Sequence, residues 1–224
     1  MSENEVCGAV NDKLFLKISR GWSLNNETEL KYQFKWLINM HEAVPDHFPS
    51  VIAIVKIDGK IGYVMERVDG TDLTKLVMQN VPYLIERQDT VIRQLTWAVL
   101  AMHDSGYTHN DIHPGNVILL KSGLINLIDP FTGHDKTRDE RMNIDLFGIN
   151  EVGNYIERAV NFEVQKTARI ILKSDAGLDE KEREYLKANL PSILNTEHAR
   201  NELKNNLTET RRDLDLECLT RFIG

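Results

Sequence analysis

Residues 109–131 constrain this chain more than any other stretch. They read His-Asn-Asp-Ile-His-Pro-Gly-Asn, an aliphatic run at 117–120, the turn Lys121-Ser122-Gly123, a second run at 124–128, and Asp129-Pro130-Phe131. Short aliphatic runs bounded by turn residues predict buried strands, and the turn between them predicts a hairpin. Such a hairpin holds Asp111, Asn116 and Asp129 at its ends, on one side of a cleft.

The preceding chain is read the same way. Residues 6–10 and 14–18 are apolar runs joined by Asn11-Asp12-Lys13, which predicts a hairpin with Lys17 near the end of its second strand. From Asn26 the period changes. Leu30, Phe34, Leu37 and Ile38 recur at helical spacing, Asn26 and Glu29 form a candidate capping box, and Val44-Pro45-Asp46 ends the helix. Residues 51–56 and 61–65 predict another pair of strands around Asp58-Gly59. Residues 66–72 (Glu-Arg-Val-Asp-Gly-Thr-Asp) have no period and read as a connection between two lobes. Beyond it Val91, Ile92, Leu95, Ala98, Val99 and Met102 predict an amphipathic helix ending before Ser105-Gly106. Ile144, Phe147, Val152 and Ile156 predict a second buried helix. Residues 162–224 predict three more, broken near residues 175–177 and at Pro191.

Charge narrows what the polar cluster acts on. A formal charge of −7 on 224 residues argues against a sequence-independent nucleic-acid or anionic-membrane binder, which needs a basic face. Cys7 and Cys218 stand at opposite ends without metal-ligand spacing and read as ordinary thiols of a reducing compartment. The first residues lack a basic and apolar leader, and no apolar run approaches the roughly 20 residues of a membrane span. A cytoplasmic protein is expected, with delivery into another cell leaving the same absence of a signal.

His109-x-Asp111-x-His113-Pro114-x-Asn116, followed thirteen residues later by Asp129, resembles the catalytic segment of the protein-kinase-like superfamily, which includes protein kinases and the aminoglycoside and choline phosphotransferases. Over residues 6–160 further features arrive in the family's order. They are Lys17 on a strand, a helix with acidic residues, Met65-Glu66-Arg67-Val68 at the hinge position, a helix ending at His103, and Asp145-Leu-Phe-Gly148. The resemblance implies an α+β, two-lobed protein-kinase-like fold, with a reduced N-terminal β-lobe (1–66) and a compact helical C-terminal lobe (67–224). It also implies phosphoryl transfer from ATP, for which a protein supplies mainly positioning and charge neutralisation. Asp111 then takes the proton of the acceptor hydroxyl, and Asn116 and Asp129 supply hard oxygen ligands for Mg²⁺. Lys17 meets the phosphates, with Glu29 (or its rival Glu27) as its partner, although such a partner is expected further into the helix. Backbone groups of Glu66 and Val68 pair with the adenine edge, and Asp72 reaches the ribose. His113 either assists the transferred phosphate or packs, His109 packs under the loop, and Asp145 hydrogen-bonds the loop backbone.

Three departures shape the expected activity. Only Gly8 precedes Lys17, so the glycine-rich phosphate cover is pared down. Asn110 replaces the arginine usual in kinases regulated by activation-loop phosphorylation. About sixteen residues separate Asp129 from Asp145, with no Ala-Pro-Glu, so constitutive activity is expected rather than gating at Thr132 or Thr137. The acceptor is a protein or small-molecule hydroxyl. His113-Pro114-Gly115 points to the small-molecule branch, and the compact C-terminal part points to a minimal atypical protein kinase. A pseudokinase scaffold is the alternative from a different class.

Overall fold

The structure, a computed structural model, describes residues 5–19, 24–131, 135–173 and 177–208. The architecture is α+β, as expected. Cys218 and Thr132 lie outside the described residues, as do the side chains of Cys7 and Asn26.

The chain forms two compact units. One takes in the chain up to Thr74 together with Val91–Val152, and the other takes in Lys75–Thr90 and the chain from Gly153 onward. The first unit holds both sheets. β1 (Glu5–Ala9), β2 (Leu14–Ser19), β3 (Val51–Ile57) and β4 (Lys60–Glu66) make an antiparallel sheet of order β1-β2-β4-β3. β5 (Gly70–Asp72), β6 (Val117–Leu120) and β7 (Ile125–Leu127) make a second antiparallel sheet in that order. The predicted hairpins are thus present, but β5 was read as irregular connection. Its three residues are too few to show a period, and they become a strand only by pairing with β6 (Gly70 with Leu120, Asp72 with Ile118). Glycine is needed there, because a Cβ on Gly70 would lie 2.5 Å from the Leu119 carbonyl oxygen.

Helix α1 (Leu24–Ala43) starts two residues before Asn26. Asn26 is therefore inside the first turn, and the predicted capping box with Glu29 does not form the helix start. The buried face is also turned from the expected one. Leu30, Gln33, Trp36, Leu37 and Met40 are buried, while Phe34 and Ile38 are only half-buried. A polar residue in that stripe is stable only if hydrogen-bonded, and Gln33 is. α2 (Leu73–Gln79) and α3 (Val81–Ile85) follow β5. α4 (Gln88–Asp104) buries Val91, Leu95, Ala98, Val99 and Met102, as the spacing predicts, and stops at Gly106, whose φ is +86°.

Two helix boundaries differ from expectation. α5 runs unbroken over Arg138–Leu172 rather than as separate helices. Val152, Ile156, Val160, Val164, Ala168 and Ile171 are buried and form one stripe at helical spacing, with no proline inside it and Gly153 tolerated within it. α6 (Glu180–Asn195) continues through Pro191, and α7 (Glu197–Thr208) follows. Proline removes one hydrogen bond from a helix interior. Here Leu186, Leu190 and Ile193 are all fully buried around it, and that burial outweighs the loss. Gly177, with φ +90°, marks the expected break before α6. Among the described residues no helix is long and apolar enough to cross a membrane.

Candidate active site

Asp145 organises the loop that follows α4. Its carboxylate is fully buried and takes three hydrogen bonds. His109 N–H and His103 Nε2 donate to Oδ2, each at 2.9 Å, and Asn110 N–H donates to Oδ1 at 2.6 Å. Bonds to an ionised acceptor are about twice as strong as neutral ones, so one aspartate on α5 fixes two consecutive peptides of the loop. Gly148, one turn later, lets the helix approach. A Cβ there would come within 2.6 Å of Ile112 Cβ and 2.7 Å of its carbonyl oxygen.

His109 is buried and neutral. Its Nε2 faces the Ile128 carbonyl at 2.9 Å and must donate, while its Nδ1 accepts the Asp111 N–H at 3.3 Å, so the tautomer is fixed by its partners. Burial pushes its pKa below the usual histidine value, against the opposing pull of Asp145. Trp36 packs edge-on against the ring, with centroids 5.6 Å apart, and donates its indole N–H to the Thr108 carbonyl. Asn39 on the same helix donates to the Tyr107 hydroxyl. Neither α1 contact was legible in sequence, because each joins residues about 70 positions apart.

The hairpin end is then laid along this loop. Ile128 N–H donates to Asn116 O, Phe131 N–H to His109 O, and Asn110 Nδ2 to Phe131 O. Asn110 (φ +63°) and Asp129 (φ +59°) adopt left-handed backbone, which asparagine and aspartate tolerate better than most residues. Asn116 is buried and donates its amide to Asp111 twice, to O at 2.9 Å and to Oδ2 at 3.1 Å, which leaves Oδ1 as its ligand-capable atom. Asp129 places Oδ1 3.0 Å from Lys17 Nζ, across 112 positions of sequence. Lys17 is 1% exposed and also donates to Gln33 Oε1 at 2.9 Å. Gln33 sits further into the helix, where a lysine partner is expected, yet it was not named from sequence. Its signal was a lone amide in an apolar stripe. Glu29 lies one turn earlier on the same helix, half-buried.

His113 is exposed. Its Nδ1 accepts the Gly115 N–H at 3.1 Å, so the neutral ring carries its proton on Nε2, 3.8 Å from Asp111 Oδ2. The ring lies over Gly115, where a Cβ would be 2.9 Å from its Cε1. Asp72 is half-buried at the end of β5. At the hinge position Glu66 N–H is taken by Ser50 O and Arg67 N–H by Lys13 O. Glu66, Arg67, Val68, Asp69, Leu120 and Lys121 help line a cleft of about 400 Å³ that does not include Lys17, Asn116 or Asp129. Thr137 caps α5 in a reciprocal box with Glu140: Thr137 N–H reaches Glu140 Oε2 at 2.7 Å, and Glu140 N–H reaches Thr137 Oγ1 at 3.3 Å. The Thr137 N–H, and after it the Thr137 hydroxyl donating to the same oxygen at 2.8 Å, hold the Glu140 carboxyl below the usual range.

The donor set suits a hard divalent cation. Asn116 Oδ1 and the Asp129 carboxylate are oxygen ligands. Among the described residues no group of three His, Cys, Asp or Glu side chains is placed to hold a metal. Two protein oxygens, completed by water and phosphate oxygens, match the way Mg²⁺ is usually held.

No family model matches the chain. It is 32% identical over 88 residues to a probable serine/threonine-protein kinase of Corynebacterium efficiens, a match covering 36% of this chain and 13% of that protein. It is 34% identical over 74 residues to the serine/threonine-protein kinase PknD of Mycobacterium tuberculosis, covering 33% and 11%. The chain therefore spans less than a sixth of these relatives. Among solved structures it is similar to the M. tuberculosis PknI kinase domain, with 19% identity, a TM-score of 0.44, and coverage of 64% of this chain and 62% of that one.

Proposed function

We propose that this chain, a relative of the protein-kinase-like superfamily, is an ATP- and Mg-dependent phosphotransferase that moves the γ-phosphoryl group to a hydroxyl, acting as a minimal atypical protein kinase. One observation carries the reading. Lys17, Asp129, Asn116 and Asp111, scattered over more than a hundred residues, are joined through Lys17–Asp129, the Ile128–Asn116 backbone bond and Asn116–Asp111. A structural role for any one of them does not require the other three. The named serine/threonine-protein kinases among its relatives support a protein hydroxyl as acceptor.

In this reading residues 1–66 are the reduced lobe carrying Lys17, and residues 67–224 are the lobe carrying the catalytic loop. The Asp111 carboxylate accepts the proton of the acceptor hydroxyl as its oxygen bonds to the γ-phosphorus. The bond from that phosphorus to the bridging oxygen breaks, and ADP leaves with the electron pair. Asn116 and Asp129 would hold Mg²⁺, which neutralises phosphate charge when bound. Lys17 meets the phosphates, with Glu29 retained as an acidic neighbour on its helix. With two hinge N–H groups already taken, the Val68 N–H and the Glu66 carbonyl are assigned to the adenine edge, and Asp72 to the ribose. Asn110 and the capped Thr137 leave little for a phosphorylated loop to control, so turnover is constitutive.

A second reading, a small-molecule kinase of the aminoglycoside or choline type, is favoured by His113. Its ring is held by Gly115 with Nε2 toward Asp111, where it can assist the phosphoryl group. The test is phosphate transfer from ATP with Mg²⁺ to the protein itself, to protein extracts and to hydroxylated metabolites, comparing wild type with Asp129→Ala. Transfer lost in the variant is expected. Wild type that binds nucleotide but transfers to none of these would instead be a scaffold.

A further inference from the structure

We propose that the cleft beside residues 66–69 is a second binding site, taking a small organic cation: a planar amidinium or guanidinium on an apolar body. It goes beyond the phosphotransferase reading and does not depend on it, because none of Lys17, Asn116 and Asp129 lines the cleft.

At about 400 Å³ the cleft is of the size that small molecules occupy. Buried Phe48, Pro49 and Asn126 line it, with half-buried Val68, Leu120 and Leu124. Asn126 is 7% exposed, and its orientation is fixed. Its Nδ2 donates to Asp46 O at 3.0 Å and to Ile125 O at 3.2 Å. Both partners are carbonyls, which only accept, so the amide cannot be turned round. Oδ1 is the atom left for the cleft, and among the described residues nothing donates to it. A buried acceptor needs a donor, so a ligand that fits brings an N–H or O–H to it. His41 adds a second acceptor. Its Nδ1 faces the Phe48 carbonyl at 2.8 Å and must donate, which makes Nε2 of the neutral ring an acceptor.

The charged lining residues are all exposed. Asp46, Glu66 and Asp69 stand with Arg67 and Lys121, and Lys121 Nζ is already 2.9 Å from Asp69 Oδ2. Carboxylates therefore outnumber cations around a floor whose fixed polar atom is an acceptor. Both features disfavour an anion such as a nucleotide phosphate and favour a cationic donor. A guanidinium or amidinium suits this lining better than an ammonium does. It is flat and weakly hydrated, so it packs against apolar surface, and it offers several N–H groups and no acceptor.

The probe is benzamidine, compared with neutral benzamide and anionic benzoate. Each is titrated into nitrogen-15-labelled protein near pH 7.5, where histidine is ordinarily neutral. Amide shifts locate the site and give dissociation constants. Benzamidine is expected to shift the Asn126 side-chain NH₂ and the backbone of residues 67–69 and 121–124, and to bind at least about tenfold more tightly than benzoate. In the double variant Asp46→Asn/Glu66→Gln, benzamidine weakens about fivefold, as expected for exposed charges, while benzamide is unchanged. In Asn126→Leu both benzamidine and benzamide weaken, benzamidine by about tenfold. Thermal melts check folding, and if Asn126→Leu does not fold, the benzoate comparison and the double variant decide. The proposal is overturned if these residues do not shift at about 10 mM benzamidine, where even an inefficient fragment of this size would half-fill the site. It is equally overturned if benzoate binds as tightly as benzamidine, or if the double variant binds benzamidine as wild type does. ATP enters none of these measurements, so the phosphotransferase reading and this one fail separately.

Discussion

Asp145→Asn isolates what the buried charge contributes, because shape and volume are preserved. The carboxylate accepts from three donors through two oxygens, with Oδ2 serving His109 N–H and His103 Nε2 and Oδ1 serving Asn110 N–H. An amide keeps one oxygen. If its NH₂ replaces Oδ2, the histidine can switch tautomer and accept from it, but the His109 N–H then faces a donor. If the NH₂ replaces Oδ1, the Asn110 N–H does. Either way one buried peptide N–H is orphaned, at about 1–3 kcal/mol, and the surviving bonds lose charge assistance, at about 1 kcal/mol each. The total is roughly 3–5 kcal/mol, which for a chain of this size lowers Tm by roughly 6–20 °C. Differential scanning calorimetry and urea titration measure it. A variant melting within about 2 °C of wild type would show that the three bonds do not anchor the loop and that α5 does not fix residues 109–110 through Asp145.

Other outcomes follow from neighbouring groups. The His109 pKa is depressed in the folded protein, so the folded state binds fewer protons than the unfolded state just below the usual histidine value of about 6.5. The stability it contributes is full above that value and is lost as pH falls through the folded pKa. Urea midpoints of wild type and His109→Gln should therefore differ most near pH 7.5 and converge toward pH 5. Gly148→Ala tests the helix–loop approach through its sign. Helix propensity alone would stabilise by about 1 kcal/mol, whereas contact with the Ile112 carbonyl at 2.7 Å forces backbone to move, so a net loss of roughly 1–2 kcal/mol is expected in thermal melts.

What could be read in the sequence was local. The hairpins at 6–18, 51–65 and 117–128 are visible because strand alternation and turn residues occur within a dozen positions, and α4 because its apolar stripe is uninterrupted. Polar residues whose spacing is short, such as Asp111 and Asn116, could be paired in advance for the same reason. β5 escaped because its strand character is lent by β6, 46 to 50 positions away. Gln33 escaped because a glutamine in a helix is unremarkable until Lys17 is known to point at it. Pro191 misled for the opposite reason: a local rule predicted a break, and burial of the surrounding leucines overrode it.

Asn110 shows how one substitution redirects a loop's physics. In the kinase pattern this position carries an arginine, whose cation is available to a phosphate added elsewhere. The asparagine here spends its amide inside the chain, on Thr108 Oγ1 at 3.2 Å and Phe131 O at 2.8 Å, and its backbone N–H on Asp145. It also takes the left-handed conformation, which a long side chain adopts less readily than asparagine does. Phe131 is thereby fastened to the loop by Asn110 itself, together with the Phe131–His109 backbone bond. In the proposed phosphotransferase, position 110 thus supplies no cation to meet an added phosphate, and constitutive turnover is the expected outcome.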